Sequence, residues 1–267
     1  MGPPSDQSAI NRLWAGLGLV VIAGLALALG YWRMFSHFPG YDDEGYIMLT
    51  VRDYLAGGDL YGGVYSQYGP GFYVLMDLLA GWFGLAITHA GARWFSLALW
   101  IGAAVGSGEL VRYLARSPGW AIGAGAATFM FLYQFSEEAF HPGVVVVCGL
   151  PWLLRFLVAR TEPDAGRSLA LIAGTAAALL TLLKINVGGL FGVAFVMWYL
   201  LVGRSQLPGG RWGAPMGLGV LAILTLLAGA ISEGWVLIFA FVSVVGSAGV
   251  VAVTRVTREL RWSEVGW

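Results

Sequence analysis

Three carboxylates stand side by side in an otherwise apolar chain: Asp42, Asp43 and Glu44, within Gly40-Tyr-Asp-Asp-Glu-Gly-Tyr46. They follow closely on the first long hydrophobic run, so they lie at a membrane surface if that run crosses a bilayer. A carboxylate held there beside a substrate hydroxyl can take its proton during attack, a contribution on the order of 10²–10⁴ in rate. The same residues can instead cap the helix that follows. A short acidic side chain accepts from the free amides of a first turn, and the helix dipole favours its anionic form. A second acidic stretch, Gln134-Phe-Ser-Glu-Glu-Ala-Phe-His-Pro142, carries Glu137, Glu138 and His141. A divalent cation, Mg or Mn, held between Asp43 and Glu137 or Glu138 is a further reading, since hard cations prefer carboxylates. The three histidines show no paired spacing, so a structural zinc site is not indicated. Asp77 lies inside an apolar run, where a carboxylate is by default a functional candidate.

The elements that must position these groups follow from composition. Of 267 residues, 58% are hydrophobic and only 11% charged, against about 25% charged in a soluble domain. Lipid is therefore the expected solvent, and backbone groups in lipid must bond internally, as helices or a closed barrel. The apolar runs are long and continuous, which excludes the short alternating runs of a barrel. Forty glycines suit close helix–helix approach in a membrane. Zero net charge gives no indication of nucleic acid. The one cysteine, Cys148, excludes an intrachain disulfide framework and reads as a small buried hydrophobe.

The expected fold is all-α: a polytopic membrane helix bundle forming a single membrane domain over residues 1–267, with about eight spans. The first is 13–32, between Arg12 and Arg33, longer than the core of a cleaved signal peptide. The rest are 94–108, 119–135, 144–158, 168–183, 187–203, 215–232 and 235–253. The run 72–88 has span-like hydropathy but carries Asp77 and lacks basic anchors. It fits an interfacial or re-entrant element of an outer loop, 36–92. With the N-terminus inside, all of the 15 basic residues except Arg33, Arg52, Arg93 and Lys184 then fall on or near the inner side, as the positive-inside rule requires. Nine spans with the N-terminus outside satisfy the same rule, and would put Asp42–Glu44 in the cytoplasm. A multi-pass protein, in a bacterial inner membrane, is the expected setting.

Within the outer loop, apolar Ile47, Val51, Tyr54 and Leu55 form one stripe, with Thr50, Arg52 and Asp53 directed elsewhere. This predicts a short amphipathic helix with the carboxylates at its N-terminal tip, stopped by Gly57-Gly58. The aromatics Tyr61, Tyr65, Tyr68, Phe72 and Tyr73 fit either an interfacial belt or a surface for stacking on sugars.

Asp43-Glu44-Gly45-Tyr46, the run ending Leu55-Ala-Gly-Gly-Asp-Leu-Tyr61, and Tyr68-Gly-Pro-Gly-Phe-Tyr73 resemble the first outer loop of GT-C-type glycosyltransferases. That superfamily includes the protein O-mannosyltransferase and aminoarabinose transferase group. Phe83-Gly84 and Ala92-Arg93 look like the family's stretch before its next helix. The resemblance covers roughly residues 13–200 and is strongest over 39–95. It implies transfer of a sugar from a polyprenyl-phosphate donor to an acceptor hydroxyl on the outer face of the membrane. By it, Asp43 is the catalytic carboxylate, with Glu44 or Asp42 as its neighbour, and Glu137 and Glu138 occupy a place comparable to the family's second acidic loop. It also favours eight spans, since both acidic loops are outer there. Family members are commonly longer, so a chain ending at Trp267 reads as a minimal module, a fragment or one part of a split system.

The leaving group implied is a lipid phosphate. Lys184, the chain's one lysine, in Leu182-Leu-Lys-Ile-Asn-Val-Gly188, can contact it or can simply snorkel from a helix end. Arg93 is a second cation candidate, or else a helix-start anchor, and His141 can orient an acceptor. The implied partners are a lipid-linked donor and membrane lipid, with the acceptor open. Two other readings stand beside this one. A transporter or channel would use Asp77, Glu109 and Lys184, but matched broken helices or repeated halves are not seen. A non-catalytic membrane subunit would use the first loop for docking.

Overall fold

The structure is a computed structural model and describes residues 6–36, 43–159 and 166–202, with residues 217 and 221. Among these the chain is all-α: α1 (Asp6–Ser36), α2 (Asp43–Leu55), α3 (Pro70–Phe83), α4 (His89–Ala115), α5 (Pro118–Tyr133), α6 (Pro142–Val158), α7 (Gly166–Leu183) and α8 (Ile185–Val202), with a 3-10 turn at Ser136–Glu138. Apart from residues 217 and 221, the expected spans 215–232 and 235–253 lie outside the described residues, as does Asp42. Two compact units are distinguished. One comprises Met1–Ile172 with Leu182–Lys184, and the other Ala173–Thr181 with Ile185–Trp267. The first unit contains both acidic stretches and Lys184.

Four helices of the first unit share a core. Leu19, Ile22 and Ala26 of α1 meet Leu97, Trp100, Ala103 and Ala104 of α4, Phe129 and Leu132 of α5, and Val144 of α6. Small residues on α4, including Gly106 and Gly108, are buried and let the neighbouring backbones approach. The opposite side of α1 stays apolar while exposed, at Leu13, Trp14, Leu17, Val20, Val21 and Leu25. A helix apolar all round has no water-facing side. Gly16–Ser36 and His89–Ala115 are long and apolar enough to cross a membrane.

A second core builds the expected outer loop into a folded subdomain. Ile47, Met48 and Val51 of α2 pack with Phe72, Tyr73 and Met76 of α3, then with Ile87, Ala92 and Phe140. The stripe predicted on α2 includes Ile47 and Val51, and Arg52 and Asp53 are exposed. Thr50 differs from expectation, being buried. Its hydroxyl donates to the Ile47 carbonyl at 2.9 Å and lies 3.2 Å from the Tyr73 hydroxyl, so its polarity is satisfied inside the core. Of the run 72–88, only the part up to Phe83 is helical, within the 14-residue α3. At about 1.5 Å per residue, that is short of the roughly 30 Å hydrocarbon core. Asp77 on this helix is exposed.

Candidate functional site

The two adjacent carboxylates that open α2 have opposite fates. Asp43 is half-buried, whereas Glu44 is fully buried. Arg93 Nε donates to Glu44 Oε1 at 3.2 Å and Oε2 at 3.1 Å, and Arg93 Nη2 lies 3.1 Å from Oε2. His89 Nδ1 is 3.5 Å from Oε1. Arg93 Nη1 also donates to the Met34 carbonyl. The pair thus ties the end of α1, the start of α2 and the start of α4 together. Both oxygens of Glu44 are engaged, and Arg93 is 2% exposed. Glu44 and Arg93 are thus enclosed in their own pairing, with both carboxylate oxygens of Glu44 occupied.

Tyr68-Gly69-Pro70-Gly71 brings Lys184 to the second cluster. Gly69 N–H donates to the Leu183 carbonyl at 3.2 Å. A Cβ at Gly71 would meet the Leu182 carbonyl oxygen and Cβ at 3.0 Å, so glycine permits this close passage. Lys184 Nζ then lies 5.9 Å from the centre of the Tyr68 ring, a cation–π distance. Other tyrosines around this loop act as struts. Tyr46 Oη donates to the Tyr65 carbonyl at 3.2 Å, Tyr61 Oη to the Tyr68 carbonyl at 2.7 Å, and Tyr73 Oη to Ser66 Oγ at 2.8 Å.

His141 closes the cluster. The following Pro142 disfavours helical backbone at the residue before it, and His141 is extended, at φ −131° and ψ 141°. From there its ring turns back over the first turn of α6, and Nδ1 accepts from Gly143 N–H at 2.9 Å. Its Nε2 is 2.9 Å from the Tyr68 hydroxyl, and the two rings meet edge to face with centres 5.1 Å apart. Burial first, and then the Lys184 charge, push the imidazole down to about 4, against an opposing pull from Asp43. The Tyr68 phenol is raised, mainly by burial; a Gln67 hydrogen bond opposes the rise, and Asp43, Glu138 and Tyr73 add to it. Asp43, Glu138, His141, Tyr68 and Lys184 therefore lie within electrostatic reach of one another's neighbourhood.

A cavity of about 360 Å³ adjoins this cluster. Its polar lining is Glu138, His141 and Lys184, and its apolar wall includes Trp100, Phe131, Phe135, Val144 and Val147. Glu137, exposed on the 3-10 turn, is not among its lining residues. Ser136 beside it is buried and accepts from Arg33 Nε at 3.0 Å, which fastens the acidic turn to α1. Of the groups a transporter would use, Glu109 is paired with Arg112 at 2.6 Å, and neither it nor Asp77 lines the cavity. Among the described residues no group of three His, Cys, Asp or Glu side chains is arranged to hold a metal ion. The Tyr68–His141 bond is invisible to sequence reading as a pairing. Its local signals are the His-Pro-Gly cap and the Tyr-Gly-Pro-Gly turn.

The depressed His141 gives a pH dependence of stability. Its unfolded value is near 6.5 and its folded value about 4. Between the two, the unfolded chain binds a proton that the native state does not, so stability rises with pH. The contribution is complete above about 6.5 and is lost as pH falls toward about 4. Melting in detergent at pH 7.5 and pH 4.5 checks this: the wild type loses more on acidification than His141→Asn, whose amide oxygen can keep the Gly143 cap without titrating.

No protein family, curated protein or solved structure matches the chain.

Proposed function

We propose that the chain is a multi-pass membrane glycosyltransferase that moves a sugar from a polyprenyl-phosphate donor to an acceptor hydroxyl on the outer face. The observation that carries this reading is the cavity of about 360 Å³ where an apolar wall meets Lys184, His141 and Glu138, with Asp43 in electrostatic reach. An isoprenoid tail needs such a wall, and a phosphate needs such a cation. The exposed apolar side of α1, the two helices of spanning length and the short α3 support a bundle whose first outer loop lies at headgroup depth, as an eight-span arrangement requires.

In this mechanism Asp43 takes the proton of the acceptor hydroxyl as its oxygen attacks the anomeric carbon. The bond from that carbon to the phosphate oxygen breaks, and the electron pair leaves with the polyprenyl phosphate. Lys184 stabilises the added negative charge. Direct displacement of this kind inverts the anomeric centre. Glu44 and Arg93 hold Asp43 in place and do not touch the reacting atoms.

The test is turnover of the full chain in nanodiscs. A short-chain polyprenyl-phosphate sugar should be consumed with release of polyprenyl phosphate; no consumption across a panel of donor sugars and hydroxyl acceptors overturns the reading. Sidedness is tested in cells with Asp43→Cys in a Cys148→Ser background. An impermeant maleimide should label residue 43 from outside; labelling from the cytoplasm alone sinks the outer-face assignment.

A further inference from the structure

We propose that His141 is a positioning residue that makes the Tyr68 hydroxyl a one-way hydrogen-bond donor to the phosphate of the lipid donor. This deepens the function proposed above and rests on it. The argument begins at Gly143. Its N–H points at His141 Nδ1 from 2.9 Å, so Nδ1 must offer a lone pair, and the hydrogen of the neutral ring is on Nε2. At 2.9 Å from Tyr68 Oη, that Nε2–H donates and the phenol oxygen accepts. Gln67 Nε2 donates to the same oxygen at 3.3 Å. A phenol oxygen with both acceptor positions filled has only its own hydrogen left to give. Among the described residues no acceptor takes that hydrogen.

The rotor is therefore set before substrate arrives, and the surroundings select what it addresses. Lys184 Nζ lies 5.9 Å from the centre of the Tyr68 ring and lines the cavity together with His141, to which the Tyr68 hydroxyl is bonded, so the orphan donor and the cation are neighbours although Tyr68 itself is not part of the cavity lining. An oxyanion accepts from both. Burial first, and then the nearby carboxylates Asp43 and Glu138, disfavour a phenolate, which keeps Tyr68 a donor. Protonating His141 would put a hydrogen on Nδ1 against Gly143 N–H and break the arrangement; burial and then the Lys184 charge oppose that protonation. Gly143 itself is part of the device: a Cβ there would come within 2.8 Å of Nδ1.

The experiment is a double-mutant cycle on the full chain in nanodiscs. Tyr68→Phe should lower kcat by about 10²-fold, the usual order for losing one preorganised donor to developing negative charge, with a smaller change in KM. His141→Asn keeps an acceptor for Gly143, so its melting temperature at pH 7.5 should match the wild type while kcat falls as in Tyr68→Phe. His141→Gln, which can place an amide N–H near the Nε2 position, should recover most of that loss. The Tyr68→Phe/His141→Asn protein should be no slower than Tyr68→Phe alone; multiplying losses overturn the inference. The tautomer is read independently of activity by 15N NMR of the imidazole at neutral pH, where a hydrogen on Nε2 is expected and one on Nδ1 overturns the inference. A wild type with the expected tautomer and no turnover instead overturns the proposed transfer reaction, so the two failures are told apart.

Discussion

Asp43→Asn lowers sugar-transfer turnover by about 10²–10⁴-fold, the range a positioned general base contributes, and leaves the protein folded with its lipid donor bound. The substitution separates the two jobs an acidic residue can do at the start of α2. Asparagine is as good as aspartate at accepting from first-turn amides, so the helix start survives. It cannot take a proton from an acceptor hydroxyl. Asp43 is half-buried and influences both His141 and Tyr68, which puts it within electrostatic reach of the cluster beside the cavity. Donor affinity, followed through quenching of tryptophan fluorescence by a labelled polyprenyl phosphate, should change little, since Lys184 and the apolar wall are untouched. Unchanged turnover in Asp43→Asn would reduce Asp43 to a cap and remove it from the mechanism.

What was legible in the chain was mostly local. The first helix, the amphipathic α2 and its end near Gly57, and the helices from α4 to α8 follow from hydropathy runs and their punctuation, because a period and a stop are written in consecutive residues. Partners are not. Glu44 and Arg93 are 49 residues apart, and Tyr68 and His141 are 73 apart. No periodicity reports that a buried arginine waits for one carboxylate and not for its neighbour. Asp43 and Glu44 look equivalent as letters, yet one residue of helical advance, about 100° of rotation, turns Glu44 into the core and leaves Asp43 half-buried. The aromatic loop shows the same limit. Composition offered a belt or a sugar platform, while two of its hydroxyls, those of Tyr61 and Tyr73, bond the loop's own backbone and Ser66. Thr50 was misread because a polar residue on an amphipathic helix is expected to face out, and here a buried tyrosine hydroxyl meets it.

Arg93→Ala produces the largest loss of stability, about 3–5 kcal/mol, the usual cost of removing one partner from a buried ion pair. The magnitude follows from what remains. Glu44 is 0% exposed, so its carboxylate would stay buried without its guanidinium, and the Met34 carbonyl would lose its donor. Replacing both partners with well-packed apolar residues, Glu44→Met with Arg93→Met, should recover much of the melting temperature, because a buried pair and its hydrophobic replacement are often nearly equal in stability. Turnover should not recover in that double variant. The pair ties α1, α2 and α4 at one point, and without its directional bonds the tip of α2 that carries Asp43 is no longer fixed, where about 1 Å of misplacement can cost 10²-fold. The competing expectation, Arg93 as a direct phosphate ligand, predicts the opposite pattern. Arg93→Ala would then raise KM for the lipid donor and leave the melting temperature close to wild type. Thermal melts and steady-state kinetics on the same preparations separate the two, and an unmoved melting temperature would return Arg93 to the substrate.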